Sequence, residues 1–465
     1  MGSQDTTTLT LVDRERDGDP EAALRAYASA DPAAVVCDSD RMQWITEQIV
    51  ELPPVALHPL LELAITDGVG LAQRRAAHLM AIVHWYGGNA EAAEGLWLRA
   101  VELGREAADE TWGGCIQNLA MAFSARGRFF EGLVLLGMAV RAARDRGDDF
   151  SQSFALVKRA TALIQFDAVD AAEGELRRAE ELWVRVTDER RRLAVITNGL
   201  LVWSTIYNRR KQWNESLRVT YERLELYEEF PPASSMVLLS AHGSRICALF
   251  ELEPGRRGEL IEEFRGLGDR FGLEESWRPA LQNDVEELRL RHAIEDTGDR
   301  DEGLRSAGLV LEYYRDNVRD DDLIRRADSL GRYFTQLGDS DGARAAYDLA
   351  ATAVLGRVMQ MERSSGELPE VAEATAEDLK ILNEHRQRLV ERRGDLYEAI
   401  MQLWKPGNPA FDLVAGEGDL ICICAWCQRV RTTTGSWIPI AQFFPDPGIR
   451  ATHGICAECR ASTFG

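Results

Sequence analysis

The sequence predicts an all-α fold, a superhelical solenoid of stacked helical hairpins. A helical segment, a tight turn and a second helical segment recur along the chain at steps of about 40 residues. Apolar residues recur within these segments at i, i+3, i+4 and i+7, as at Leu133, Leu136 and Val140, which predicts helices with one apolar face. A single hairpin cannot bury such a face, so neighbouring hairpins are expected to stack around a continuous core.

One turn residue marks each copy of the hairpin. The seven turn residues are Gly88, Gly127, Asp167, Lys211, Gly255, Gly298 and Gly338, and the copy around Gly255 is the weakest. These copies place the solenoid at residues 67–363. Residues 1–66 are also predicted to be helical, with Pro53, Pro54 and Pro59 breaking the segment, and to form an N-terminal cap or an irregular first repeat.

The repeated hairpin resembles the tetratricopeptide repeat (TPR) family over roughly residues 70–360. The shared features are a turn glycine, an acidic–small pair, a large residue and then a small residue. In one copy these are Gly88, Glu91 with Ala92, Trp97 and Ala100. The period is longer than the family's usual one. The resemblance implies a TPR-like solenoid with a groove that binds a protein or peptide partner.

A long amphipathic helix is predicted at residues 375–404, after a polar break that begins at residue 364. Thr375 can cap its N-terminus with a hydroxyl oxygen. Leucines recur every seven residues, at Leu382, Leu389, Leu396 and Leu403. Arg386 and Arg393 occupy two positions where a coiled coil needs apolar residues. The helix is therefore expected either to pair with its twin in a homodimer or to pack alone on the end of the solenoid.

Five of the eight cysteines lie in residues 419–465. They include two C-x2-C pairs, Cys424 with Cys427 and Cys456 with Cys459, which are separated by 28 residues. The two-residue spacer lets both thiolates of a pair reach one ion at about 2.3 Å, and two pairs complete a closed tetrahedron. This C-terminal segment has only a handful of apolar residues. A core that small needs a metal ion to fold. The spacing predicts a C-terminal module that holds one structural zinc ion.

Two further residues lie close to these four cysteines. His453 precedes Cys456 by three residues, and Cys422 precedes Cys424 by two, which places both cysteines on one face of an extended segment. Four thiolates already satisfy zinc. We therefore expect His453 and Cys422 to lie beside the ligands, with either one as an alternative ligand.

The tail resembles a zinc module found at the C-terminus of bacterial two-component sensor and receiver proteins. The matching motifs span about residues 419–460 and comprise Cys424-Ala425-Trp426-Cys427, Arg429, Arg431, Gly435-Ser436-Trp437 and His453-Gly454-Ile455-Cys456-Ala457-Glu458-Cys459. The chain departs from the module at Thr432, Thr433 and Thr434, where relatives carry acidic residues, and at Ala451 and Thr452, where Phe-Ser is usual. The resemblance implies a signalling context.

Composition argues against several classes of partner and location. The formal net charge is −22, whereas phosphate binding needs an excess of Lys and Arg, so neither nucleic acid nor an anionic membrane is an expected partner. No apolar run reaches about 18 residues, so no transmembrane helix is expected. The N-terminus lacks the pattern of a secretion signal, which predicts a cytoplasmic protein.

The sequence contains no nucleotide-binding, serine-hydrolase or zinc-protease motif. It therefore favours a non-catalytic protein–protein interaction scaffold or adaptor in bacterial signalling or regulation. The alternative is a redox-sensing zinc–thiolate switch or a chaperone-like protein, because Cys422-x-Cys424 and the second C-x2-C pair resemble the zinc centre of redox-regulated chaperones. The additional Cys427 argues against that alternative. An enzyme with a site in the solenoid groove is the third interpretation.

Overall fold

The computed structural model describes a series of consecutive helices followed by four short strands. It describes residues 20–29, 31–38, 41, 44–45, 54–105, 110–126, 128–232, 235–273, 275–317, 321–367, 374–402, 420–424, 430–431, 437–438 and 450–454. The helices are α1 (Pro20–Ser29), α2 (Pro32–Cys37), α3 (Pro54–Asp67), α4 (Leu71–Tyr86), α5 (Ala90–Gly104), α6 (Glu110–Ala125), α7 (Phe129–Arg146), α8 (Asp149–Gln165), α9 (Val169–Trp183), α10 (Glu189–Arg209), α11 (Trp213–Glu229), α12 (Ser235–Leu252), α13 (Arg257–Arg270), α14 (Arg278–His292), α15 (Arg300–Asn317), α16 (Asp321–Gln336), α17 (Ser340–Glu367) and α18 (Ala376–Gln402). None of the described helices is both long enough and apolar enough to span a membrane.

From α4 to α17 the helices follow one another as seven pairs, and each predicted turn residue lies between the two helices of a pair. The predicted all-helical repeat fold is confirmed for the described part of this range. Gly88, Gly298 and Gly338 have φ values of 77°, 68° and 73°, a left-handed conformation that glycine adopts without steric strain. The superhelical course of the solenoid stays a prediction.

The remaining turns have residues other than a left-handed glycine at the turn position, or a different backbone conformation. Asp167 and Lys211 also adopt the left-handed conformation, with φ values of 54° and 56°. Gly255 lies instead in a 3₁₀ turn, Pro254–Arg256, which fits the weak match of that copy. Gly127 lies outside the described residues.

The chain divides into two compact units. Unit 1 comprises residues 1–164, 168–202 and 366–379, and unit 2 comprises residues 165–167, 203–365 and 380–465. In unit 1, α1, α2 and α3 share a core with α4 that includes Tyr27 and Leu60. In unit 2, α12, α13 and α14 pack around Phe264, and α14 to α18 pack around Tyr314 and Phe334.

Two predicted breaks differ from the structure. Pro59 lies inside α3 because its neighbours Leu57, Leu60 and Leu61 are fully buried, and their packing outweighs the loss of one helical hydrogen bond. At the other end of the repeats, α17 continues to Glu367, beyond the predicted start of the polar break.

The N-terminus of α18 is capped as predicted. Oγ1 of Thr375 accepts a hydrogen bond from the backbone N–H of Asp378 at 3.2 Å, and Oδ2 of Asp378 accepts one from the backbone N–H of Thr375 at 2.8 Å. Oδ1 of Asp378 accepts a hydrogen bond from Arg159 at 2.7 Å. Arg159 also donates to Glu175 at 2.9 Å and to the carbonyl of Leu133 at 3.2 Å. This buried group holds the first turn of α18 within unit 1.

The coiled-coil alternative for α18 is corrected by its packing. Leu389 and Leu396 are 5% and 1% exposed and belong to the same core of unit 2 as Tyr314. Their side chains are therefore covered by their own chain and present no exposed seam for a second copy. Leu403 lies outside the described residues.

Four short strands follow in the C-terminal tail. They are β1 (Leu420–Cys424), β2 (Val430–Arg431), β3 (Trp437–Ile438) and β4 (Arg450–Gly454), arranged in the order β3-β2-β1-β4. β1 pairs antiparallel with β2 and parallel with β4. The parallel pair brings the C-terminal ends of β1 and β4 side by side.

Replacing Gly88 with alanine is expected to lower the free energy of unfolding by about 1 kcal/mol. No heavy atom lies within 4 Å of the added Cβ, so the loss arises from the left-handed backbone. Gly95, in the interior of α5, has equally open surroundings, and Gly95→Ala should raise the free energy of unfolding by about 0.5–1 kcal/mol. Urea denaturation followed by circular dichroism measures both variants. Unchanged or increased stability in Gly88→Ala would contradict this account of the turn.

Replacing Leu389 or Leu396 with aspartate is expected to lower the free energy of unfolding by about 3 kcal/mol or more, because each change buries a carboxylate in an apolar core. Sedimentation should show no change in oligomeric state. Leu379→Asp is the matched control on the same helix: this leucine is 43% exposed, and its replacement should change stability by about 0.5 kcal/mol or less. A dimer that dissociates in Leu396→Asp without loss of stability would show instead that α18 pairs between chains.

Candidate functional site

A polar pocket of about 600 Å³ lies within unit 2. Its wall is formed by α10, α12, α14 and α16, the first helices of four successive hairpins, together with α15 and the start of α11. The lining residues are Asn208, Arg209, Lys211, Trp213, Glu251, Glu287, Leu290, Arg291, Glu295, Val310, Tyr314, Arg325, Arg326, Ser329, Leu330 and Tyr333. A concave site of this size is in the range that takes a small molecule or a short peptide segment.

The lining of the pocket is rich in positive charge. Five cationic side chains contribute, from Arg209, Lys211, Arg291, Arg325 and Arg326, against three carboxylates, from Glu251, Glu287 and Glu295. This local excess of two positive charges stands out in a chain whose formal net charge is −22. Inside a concave surface, a local charge of one sign concentrates ligands of the opposite sign.

Glu287 of α14 organises one side of the pocket. Its Oε1 atom accepts hydrogen bonds from the hydroxyl of Tyr314 at 2.6 Å, from Arg326 at 2.6 Å and from the amide of Asn283 at 2.9 Å. Burial, and then the negative charge of Glu287, raise the pKa of Tyr314 far above its usual value. The tyrosine hydroxyl therefore stays protonated and remains a donor.

Arg291, one turn further along α14, organises the other side. Its Nη1 atom lies 2.7 Å from a carboxylate oxygen of Glu251, and its Nε atom donates to Glu295 at 3.4 Å. Its guanidinium also lies over the ring of Phe250, at 5.0 Å from the ring centroid. These contacts fix the guanidinium in place at the wall of the pocket.

A π-helical segment, Ala293–Thr297, follows α14 directly. Its acidic residues Glu295 and Asp296 accept hydrogen bonds from Arg257 at 2.7 and 3.0 Å. Arg257 is nearly buried and also donates to the carbonyl of Phe250 at 2.9 Å. Glu295 thus lies at the pocket and pairs with an arginine outside the lining, which it shares with Asp296. Segments of π-helix occur frequently at functional sites.

The predicted zinc ligands are only partly within the described residues. Cys424 is the last residue of β1, Cys422 lies in the same strand, and His453 lies in β4. Cys427, Cys456 and Cys459 lie outside the described residues. The part of the chain that the structure describes contains no group of three or more potential metal-ligating side chains.

The backbone register nevertheless brings together the C-terminal ends of β1 and β4, the strands that precede the rest of each C-x2-C pair. In the parallel pair, Cys424 lies opposite Gly454 and Ile423 lies opposite His453. Cys427 follows the end of β1 by three residues, and Cys456 follows the end of β4 by two. Neighbouring strands lie about 4.8 Å apart, so Cys424 and Gly454 lie side by side at one end of the sheet.

The pocket was not predicted from the sequence. Of its lining residues only Lys211 was singled out by a sequence pattern, as a turn residue. The charged side chains come from helices spread over residues 208–333, and none belongs to a short motif. A weak signal was present: cationic residues lie near the ends of several first helices in an otherwise acidic chain.

The scattered histidines include one close pair, in unit 1. The rings of His58 and His84 lie 5.4 Å apart between α3 and α4. Burial, and then the neighbouring His58, lower the pKa of His84. Burial also lowers the pKa of His78 to about 4. His78 and His84 are therefore neutral at neutral pH and serve the packing of the helices.

No protein-family model and no curated protein matches this chain. Solved structures do. The apo form of the quorum sensor NprR from B. thuringiensis is 13% identical, covers 75% of this chain and 98% of its own, and superposes with a TM-score of 0.50. A STAND (Signal Transduction ATPase with Numerous Domains) protein with a tetratricopeptide repeat sensor, from Pyrococcus horikoshii, is 12% identical, covers 74% of this chain and 53% of its own, and superposes with a TM-score of 0.29.

At this level of identity the likeness to NprR concerns the fold. It agrees with the hairpin series seen in α4 to α17. The chain is thus similar in fold to a known helical-repeat protein.

Proposed function

We propose that this chain is a non-catalytic interaction scaffold or adaptor, acting in bacterial signalling or regulation, that binds a protein or peptide partner in the pocket of unit 2. The observation that carries the proposal is the pocket itself, built by the first helices of four successive hairpins. A partner that fits it would contact several repeats at once, which is how stacked-hairpin proteins form extended binding surfaces.

The side chains of the pocket are suited to holding a partner in one orientation. Tyr314, Arg291 and Arg326 are each held by a carboxylate at 2.7 Å or less. A pre-ordered lining loses little side-chain entropy when a ligand binds. Trp213 and Tyr333 add aromatic surface, the kind that dominates the energy of many protein interfaces.

The proposal includes a structural zinc ion at the C-terminus, held by Cys424, Cys427, Cys456 and Cys459. The parallel pairing of β1 with β4 supports it, because Cys424 lies opposite Gly454, which precedes Cys456 by two residues. The ion would hold the ends of the small sheet together and leave no open coordination position.

A photo-crosslinking amino acid at position 213 tests the binding site in the source cell. Trp213 lines the pocket, so Trp213→p-benzoylphenylalanine should give a discrete crosslinked product whose second component mass spectrometry identifies. Tyr221 is the matched control, since it lies in the same helix, is 43% exposed and is outside the lining. The same product at both positions, or none at position 213, would contradict a partner in this pocket.

Elemental analysis of the purified chain should find one zinc ion per chain. Cys427→Ser or Cys456→Ser should release the metal and make residues 421–465 sensitive to protease, because metal binding and folding of so small a module are one event. The helical circular dichroism signal should be retained, since repeat stacking does not depend on the metal.

Cys422→Ser and His453→Ala are the controls for the ligand set, and both should retain zinc. Zinc loss in Cys422→Ser but not in Cys427→Ser would show that the ligand set is different. It would also favour the redox-sensing switch, in which mild peroxide releases the ion.

A further inference from the structure

Lysine is an unexpected residue type at the turn position of the fourth hairpin, where the chain has Lys211. At the equivalent point of three other hairpins the chain has glycine, at Gly88, Gly298 and Gly338, with φ between 68° and 77°. Lys211 has the same left-handed backbone, with a φ of 56°. Side chains with a Cβ are strained in this conformation, and only Asn and Asp tolerate it well. Glycine would satisfy the turn with less strain.

The turn itself does not need the lysine side chain. It is closed by backbone hydrogen bonds, from the N–H of Lys211 to the carbonyl of Asn208 at 3.1 Å and from the N–H of Gln212 to the carbonyl of Tyr207 at 2.8 Å. Strained residues that the local fold does not require are concentrated at functional sites. Lys211 is exposed, lines the pocket, and makes no ion pair with any described residue.

We propose that the pocket recognises acidic peptide segments, and that Lys211 is retained at a strained position because its ammonium group binds a carboxylate of the ligand. This inference deepens the proposed function and rests on it. The excess of positive charge in the lining is the second observation that supports it. The three glutamates of the lining oppose an incoming anion less than free carboxylates would, because Glu251, Glu287 and Glu295 each pair with an arginine at 2.6–2.7 Å.

The decisive variant is Lys211→Gly, which should change stability and binding in opposite directions. Removing the strain should raise the urea midpoint of unfolding. Losing the ammonium group should weaken binding of an acidic peptide about tenfold or more, the usual effect of removing a hydrogen bond to a charged group. A purely structural role for Lys211 predicts no change in binding.

Fluorescein-labelled octapeptides of one aliphatic scaffold serve as probes, with two internal residues set to Glu, Gln, Lys or phosphoserine. Fluorescence anisotropy with the full chain should show binding of the Glu peptide that weakens as salt rises. The Gln and Lys peptides should bind more weakly. Asp167→Gly is the matched control, since it relieves a turn with a φ of 54° outside the pocket lining, and Lys211→Arg keeps the charge. Both should retain binding of the Glu peptide.

Three results would overturn the inference. They are equal binding of the Glu and Gln peptides, unchanged binding in Lys211→Gly, and binding of the phosphoserine peptide without binding of the Glu peptide. If crosslinking at position 213 still captures a partner in any of these cases, the scaffold proposal stands and only the acidic ligand class fails.

Discussion

The structure depends on one constraint: the apolar face of each hairpin is stable only when a neighbouring hairpin covers it. In unit 2 this constraint also builds the pocket. Leu290, Val310 and Leu330 belong both to the core shared by α14 to α18 and to the pocket lining. The pocket therefore has an apolar base that is part of the core. Because core packing sets the rotation of each helix, it also decides which charged side chains face the pocket.

Buried charges in this fold are held by several partners at once. Arg159 donates to two carboxylates and one backbone carbonyl within unit 1. Burial alone would lower the pKa of its guanidinium, but the charges of Asp378 and Glu175 outweigh burial and raise it. Such groups contribute little net stability compared with apolar packing, yet leaving one partner alone in the interior is strongly destabilising. A buried group of this kind favours one arrangement of its helices over others. In this chain it fixes the position of the first turn of α18 within unit 1.

Comparison of equivalent turn positions shows which residues the fold requires and which it does not. Gly88 and Lys211 hold the same left-handed backbone conformation, although glycine adopts it without strain and lysine does not. Packing therefore does not explain the choice of lysine. A difference between equivalent positions in a repeat is informative because the repeats share a structural role.

The hairpin series, its turn positions and the cap at Thr375 could be predicted from the sequence, because helical periodicity and capping are local properties of the chain. The sequence also determined the pairing of the C-terminal cysteines into two C-x2-C segments. The packing of Leu389 and Leu396 could not be predicted. The same leucine heptad can pack against a helix of a second chain or in the core of its own chain. Only the tertiary structure placed them in the core of unit 2. It alone brought Lys211, Arg291 and Arg326 to one pocket, because helix rotation and stacking, which set that proximity, depend on contacts between residues far apart in the chain.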